Sequence, residues 1–158
     1  MKVTIFLGSQ SDKAVMKKAA DVLRDLEINY TSRVASAHRS PELLEKIIAE
    51  IEQDGTEVII AGAGLAAHLP GVIAGKTLIP VIGVPLTSGS LNGMDALLSI
   101  VQMPKSVPVA TVGIDNAANA AYLAAEILGI KYPEVRKKSE NLRIKMKTES
   151  EKNSLIDL

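Results

Sequence analysis

The chain has 158 residues, enough for one ordinary domain. Its 18 basic and 18 acidic side chains cancel, and residues 1–130 hold ten basic against 13 acidic groups, which excludes the positive field of a folded nucleic-acid binder. The absence of cysteine excludes disulfides, thiolate metal sites and a Cys nucleophile.

Short apolar runs alternate with helical periodicity along the chain, the signature of βαβ units. Val3–Leu7 is predicted as the first strand, with no signal peptide before it. Val15, Ala19, Val22 and Leu26 then mark one face of a first helix. Tyr30–Val34 follows as a second strand. Ser40 as N-cap, Pro41 and Glu42 open a second helix, whose buried stripe is Leu43/Leu44, Ile47/Ile48 and Ile51. Glu57–Ala61 is the third strand and Ala66–Gly75 a short helix. Pro80–Val84 is the fourth strand, Asp95–Met103 an apolar helix, and Val107–Val112 the fifth strand. Asn116–Leu128 is a helix apolar on nearly all sides, expected to be buried all round. A polar C-terminal helix begins near Pro133.

The expected fold is α/β: a single-domain, flavodoxin-like α/β/α sandwich on a five-stranded parallel sheet. Residues 1–130 form the body, and 131–158 a helical tail of the same domain. The tail holds eight basic and five acidic groups and reads as a solvated helix, not a phosphate-binding arm. Hydrophobic residues make up 47% of the chain, and its mean hydropathy is +0.19. This is rather apolar for a small monomer, so a subunit interface is expected to cover part of the surface. The uncharged runs Val58–Gly75 and Thr77–Met94 are broken by Gly and Pro and do not read as membrane helices.

Ligands of open α/β sheets bind outside the carboxyl ends of the strands. Gly8-Ser9-Gln10-Ser11-Asp12 follows the first strand. Its small residues and hydroxyls suit an anion at a helix start, or a plain N-cap by Ser9 or Ser11. The Gly-Lys-Ser/Thr ending of a Walker loop is missing. Asp12 would repel a phosphate and suits ribose hydroxyls better. Ser36-Ala37-His38-Arg39 follows the second strand. Imidazole suits a reversible proton carrier, and Arg holds phosphate or carboxylate with two parallel bonds; a surface turn is the other reading. Gly62, Ala63, Gly64, Leu65, Ala66, Ala67, His68 and Leu69 follow the third strand. There the glycines allow either close backbone approach to a ligand or tight packing, and His68 is either a site residue or one satisfied within the fold. Pro85–Ser90 follows the fourth. Two histidines and no cysteine give too few metal ligands, and one Phe, three Tyr and no Trp leave little to stack on a flavin.

Gly-Ser-Gln-Ser-Asp at 8–12, Ser-Ala-His-Arg-Ser-Pro at 36–41 and Ala-Gly-Ala-Gly-Leu-Ala-Ala-His-Leu-Pro-Gly at 61–71 closely resemble the PurE family. So do Pro-Val-Ile-Gly-Val-Pro at 80–85, Ser-Ile-Val-Gln-Met-Pro at 99–104 and Val-Pro-Val-Ala-Thr-Val at 107–112, with a looser match at 116–125. The resemblance implies a step of de novo purine synthesis. Of the family's two classes, Arg39 and the Ala-Ala-His-Leu-Pro-Gly run at 66–71 resemble the N5-carboxyaminoimidazole ribonucleotide mutase. The alternative is an aminoimidazole ribonucleotide carboxylase that uses CO2 directly. The resemblance also implies a cytoplasmic homo-octamer with active sites shared between subunits, acting on a small imidazole ribonucleotide, with no cofactor, metal, nucleic acid or membrane. By match to the family's motifs, His38 is the acid/base and Arg39 binds phosphate. Ser9, Ser11, Asp12, Ser36, Ala37, Gly62, Ala63, Gly64, His68 and Leu69 bind substrate. Leu65, Ala96 and Ser106 depart from the usual Gly, Ser and Gly. Leu65 is expected to turn away from the ligand, because Gly64 and His68 are retained.

Overall fold

The computed structural model describes residues 1–154. Five parallel strands, β1 (Lys2–Leu7), β2 (Asn29–Val34), β3 (Val58–Gly64), β4 (Val81–Leu86) and β5 (Ala110–Thr111), lie in the order β2-β1-β3-β4-β5. The crossovers are helices α1 (Lys13–Asp25), α2 (Pro41–Ile51), α3 (His68–Ala74) and α4 (Met94–Val101), followed by α5 (Ala117–Gly129) and α6 (Pro133–Lys152). The order reverses direction beside β1, so the β2, β1 and β3 exits meet at a topological switch point.

The period-2 pattern of the central strands feeds two cores. Val3, Ile5 and Leu7 of β1, with Val58 and Ile60 of β3, face α1, α5 and α6. Phe6, Ile59, Ala61 and Ala63 face the opposite layer, against Leu44, Ile48, Ile73 and Ile100. Leu44 is fully buried, so truncating it to Ala should cost about 2–5 kcal/mol. The one inward hydroxyl of β1, Thr4, is satisfied by Thr56 at 2.8 Å.

Several elements depart from the sequence expectation. Helix α3 starts at His68, not Ala66, because Leu65 holds a left-handed φ of 54° and Ala67 N–H closes a turn onto Gly64 O. Pro70 then falls in the first turn, where its missing N–H breaks no helical bond. Helix α4 stops at Val101, since Pro104 disfavours a helical Met103. Ser40 is the N-cap of α2 by position, but its hydroxyl donates to Ser36 O instead of capping. Strand β5 shrinks to two ladder residues at the sheet edge, where Pro108 has no N–H to give. Helix α5 is not buried all round: Asn119 and Glu126 are exposed and Tyr122 and Leu123 half-buried, while Ala120, Ala121, Ala124 and Ala125 pack inward. Helix α6 rests on the body through buried Val135 and through Lys138, which donates to Leu26 O. The last four residues of the 131–158 tail lie outside the described residues.

Candidate active site

Backbone bonds continue past the strand ends and hold the exits side by side. Ala35 N–H donates to Leu7 O at 3.0 Å, joining the β2 and β1 exits. Gly8 N–H donates to Gly62 O at 3.3 Å, joining β1 to β3. Gly64 is in register with Leu86, which brings the β4 exit alongside. The four loops enclose a crevice of about 500 Å³.

The first loop is pinned by a reciprocal capping box. Ser9 Oγ accepts from Ser11 N–H at 3.3 Å, and Asp12 Oδ2 accepts from Ser9 N–H at 2.9 Å. Ser11 Oγ also donates to Ser9 Oγ at 2.9 Å. The plain capping reading is therefore realised, and both serines and Asp12 still line the crevice.

The second loop turns on Ser36, whose Oγ accepts from Arg39 N–H at 3.2 Å and from Arg39 Nε–H at 3.4 Å. Ser36 O accepts from Ser40 N–H at 3.1 Å. This closes residues 36–40 and puts His38 near the tip. Arg39 Nη2 reaches across to Gly8 O at 3.4 Å, so the guanidinium is held between the two loops with other N–H groups unengaged.

The third loop brings His68 to His38. His38 Nε2 and His68 Nδ1 are 2.5 Å apart, with ring centroids at 4.7 Å and planes at 74°. Both rings are exposed to the crevice. Below them Ala63, Ala67 and Leu69 are buried and form an apolar floor.

Of the residues singled out from sequence, Ser9, Ser11, Asp12, Ser36, Ala37, His38, Arg39, Ala63, Gly64, His68 and Leu69 all line this crevice. Gly62 does not. A Cβ there would lie 2.4 Å from Met16 Sδ, so its bare backbone serves helix–sheet packing. Leu65 borders the crevice, half-exposed, and its side-chain tip lies against Gly89, which is not part of the lining. Thr87 and Ser88 complete the lining without having been assigned a role from sequence. The signal was available: both follow β4 at the same sheet edge. Among the described residues, no three His, Cys, Asp or Glu side chains are grouped to hold a metal, and no helix is long and apolar enough to cross a membrane. A larger cleft of about 590 Å³ between α5 and α6 is lined mostly by apolar side chains, and its charged groups, Glu126 and Arg143, pair with each other.

The model of the AIR carboxylase family matches residues 2–149. The N5-carboxyaminoimidazole ribonucleotide mutase of Pyrococcus abyssi is 62% identical over 146 residues, covering 92% of this chain and 84% of the relative. That of Thermotoga maritima is 54% identical over 148 residues, covering 94% and 86%. That of Pseudomonas aeruginosa is 52% identical over 143 residues, covering 89% and 88%. The crystal structure of Treponema denticola PurE superposes with a TM-score of 0.86 at 30% identity, covering 98% of this chain and 99% of that one. A match of that extent, with the histidine-bearing loops meeting in one crevice, places this chain in the AIR carboxylase family, the PurE family whose motifs it carries.

Proposed function

We propose that the chain is an N5-carboxyaminoimidazole ribonucleotide mutase of purine biosynthesis, an isomerase with His38 as its proton carrier. The observation that carries the reading is the convergence of His38, His68 and Arg39 with two serine-bearing loops in one crevice. Relatives named as this mutase, 50–62% identical, support the substrate assignment.

The reaction moves a carboxyl group from the exocyclic nitrogen to ring carbon 4. In the proposed path, the N–C bond of the carbamate breaks and releases CO2 inside the crevice, while His38 gives a proton to the departing nitrogen. Carbon 4 then attacks the trapped CO2, and the neutral His38 takes the proton that carbon 4 loses. One imidazole thus ends in its starting state, with no net proton exchanged. Ala63, Ala67 and Leu69 suit the CO2 side, because an uncharged floor offers nothing that would hydrate or capture it. The hydroxyls of Ser9, Ser11 and Ser36 and the guanidinium of Arg39 suit the phosphate. Asp12 suits ribose hydroxyls, being an acceptor that would repel an anion. Holding CO2 beside the ring is the larger catalytic lever, since orientation can supply roughly 7–11 kcal/mol.

The proposed assembly is a homo-octamer in the cytoplasm with sites shared between subunits. The number eight rests on the family resemblance. An association of some kind is supported by Met94, Leu98 and Val101, spaced four and three along one side of α4, and by Leu91 just before the helix, each more than half exposed.

The discriminating experiment assays carboxylated and uncarboxylated ribonucleotide side by side. Turnover of the first without added bicarbonate is expected. Turnover confined to the second, rising with bicarbonate, would make the protein a direct carboxylase.

A further inference from the structure

The fourth wall of the crevice is built by Thr87 and Ser88, on the loop that leaves β4. Ser88 is tucked against Gly64: a Cβ at Gly64 would lie 2.9 Å from Ser88 Cβ. Thr87 is exposed, so without a partner its N–H would face solvent. That partner comes from a distant part of the chain. Asp115, in the connection between β5 and α5, accepts the Thr87 N–H on Oδ1 at 2.9 Å. Its own N–H donates to Pro85 O, also at 2.9 Å. One residue thus brackets Pro85–Thr87 with its backbone on one side and its carboxylate on the other.

The backbone of Asp115 is left-handed, with φ at 56°. Glycine would sit there at no steric cost, and Asp is one of the few other residues that tolerates it. Glycine would keep the backbone bond and lose the carboxylate. The presence of Asp therefore points to the side chain.

We infer that Asp115 is a positioning residue of the active site, fixing the Thr87–Ser88 wall against the loop that carries Gly64 and His68. It acts through Thr87 and touches none of the crevice lining that we assign to proton transfer. Loss of its carboxylate should therefore loosen substrate binding more than it slows chemistry. The inference rests on the mutase reading for its assay.

The test compares D115G with D115N, measuring kcat and KM for the carboxylated ribonucleotide together with Tm. Asn keeps an Oδ1 acceptor and tolerates the same φ, so D115N should stay within about twofold of wild type. D115G should raise KM roughly tenfold with kcat nearly unchanged, while in Tm the lost bond and glycine's relief of the left-handed backbone oppose each other and leave a shift of only a few degrees. Wild-type kinetics in D115G would overturn the inference. So would equal impairment of D115N, or loss of folding in D115G, either of which would make the role structural. The wild-type rate in the same series tests the mutase reading itself. Should that rate be nil, calorimetric binding of the same ribonucleotide to wild type and D115G still tests Asp115, so the two failures separate.

Discussion

His38 Nε2 faces His68 Nδ1 at 2.5 Å, which puts the two imidazoles in direct hydrogen-bond contact. One ring donates and the other accepts; both cannot carry hydrogen at that contact. His38 in this form offers its Nε2 to His68, and a bound substrate must take the place of that partner. His38→Asn should then cut kcat by about 10²–10⁴-fold while ribonucleotide binding, measured by calorimetry, stays close to wild type. His68→Ala frees Nε2 rather than removing it, so its loss in kcat should be the smaller. A larger loss at His68 than at His38 would move the proton-carrying role to His68.

Arg39 is held by Ser36 Oγ and Gly8 O, which fixes the guanidinium between two loops before any ligand arrives. Arg39→Ala should raise KM by roughly 10–100-fold, the worth of a charge-assisted bond pair, with a lesser effect on kcat. Arg39→Lys should recover only part of this, because an ammonium cannot span Ser36 and Gly8 and present a planar fork at once. An unchanged KM in Arg39→Ala would remove the residue from substrate binding.

The order of elements was legible because each strand is a short apolar run followed by a helix with its own stripe, and parallel sheets need such crossovers. The location of the crevice was legible for a related reason: polar and glycine-rich pieces follow the strands on one edge. What could not be read was tertiary. For Gly62 the sequence leaves ligand approach and tight packing both open, and only Met16 packed on it favours the second. Asp115 stands 28 positions from Thr87, and no local pattern links them. The open flank of α5 shows only once α6 is seen to cover a part of it.

Two family departures have a shared physical meaning. Leu65 and Ser106 both hold left-handed backbone, with φ at 54° and 74°, where glycine is the unstrained choice. Ser106 is exposed and its side chain makes no hydrogen bond among those of the described residues. Relief of roughly 1–2 kcal/mol of steric cost outweighs the smaller entropy cost of glycine, so Ser106→Gly should stabilise the fold by about 0.5–1 kcal/mol. Thermal unfolding would show this as a rise of a few degrees. A fall would mean that the 104–108 turn is held by something other than its backbone preference.

Glu57 ties the start of β3 to the start of α6. Its carboxylate accepts from Lys131 Nζ at 2.8 Å and Tyr132 Oη at 2.6 Å. The Lys131 bond, then the Tyr132 bond, hold this carboxyl below the usual carboxylate range. A carboxyl depressed in the folded state contributes stability that is complete above the unfolded value, near about pH 4.3, and is lost as pH falls through the folded one. The stability gap between wild type and Glu57→Gln should thus be constant from neutral pH down to about 5 and close below about 4. Denaturant unfolding across that range checks it, and a gap that widens on acidification would contradict the assignment.

Leu98 sits mid-way along the exposed stripe of α4, more than half open to solvent in the protomer. On a monomer surface Leu98→Glu should change stability by no more than about 0.5 kcal/mol. Buried between subunits, the same carboxylate would be unpaired and would cost several kcal/mol, enough to split the assembly. Light scattering of the wild type should give a mass several times the 16.8 kDa of one chain, and Leu98→Glu should lower it. An unchanged mass would clear α4 of any part in association. Leu91, just before the stripe, stands three positions after Ser88 of the crevice wall, so chain length alone keeps the two within about 11 Å. Dissociated Leu98→Glu should therefore lose turnover although Leu98 does not line the crevice. Full activity in the dissociated form would mean that each protomer carries a complete site and that the sharing of sites between subunits is wrong.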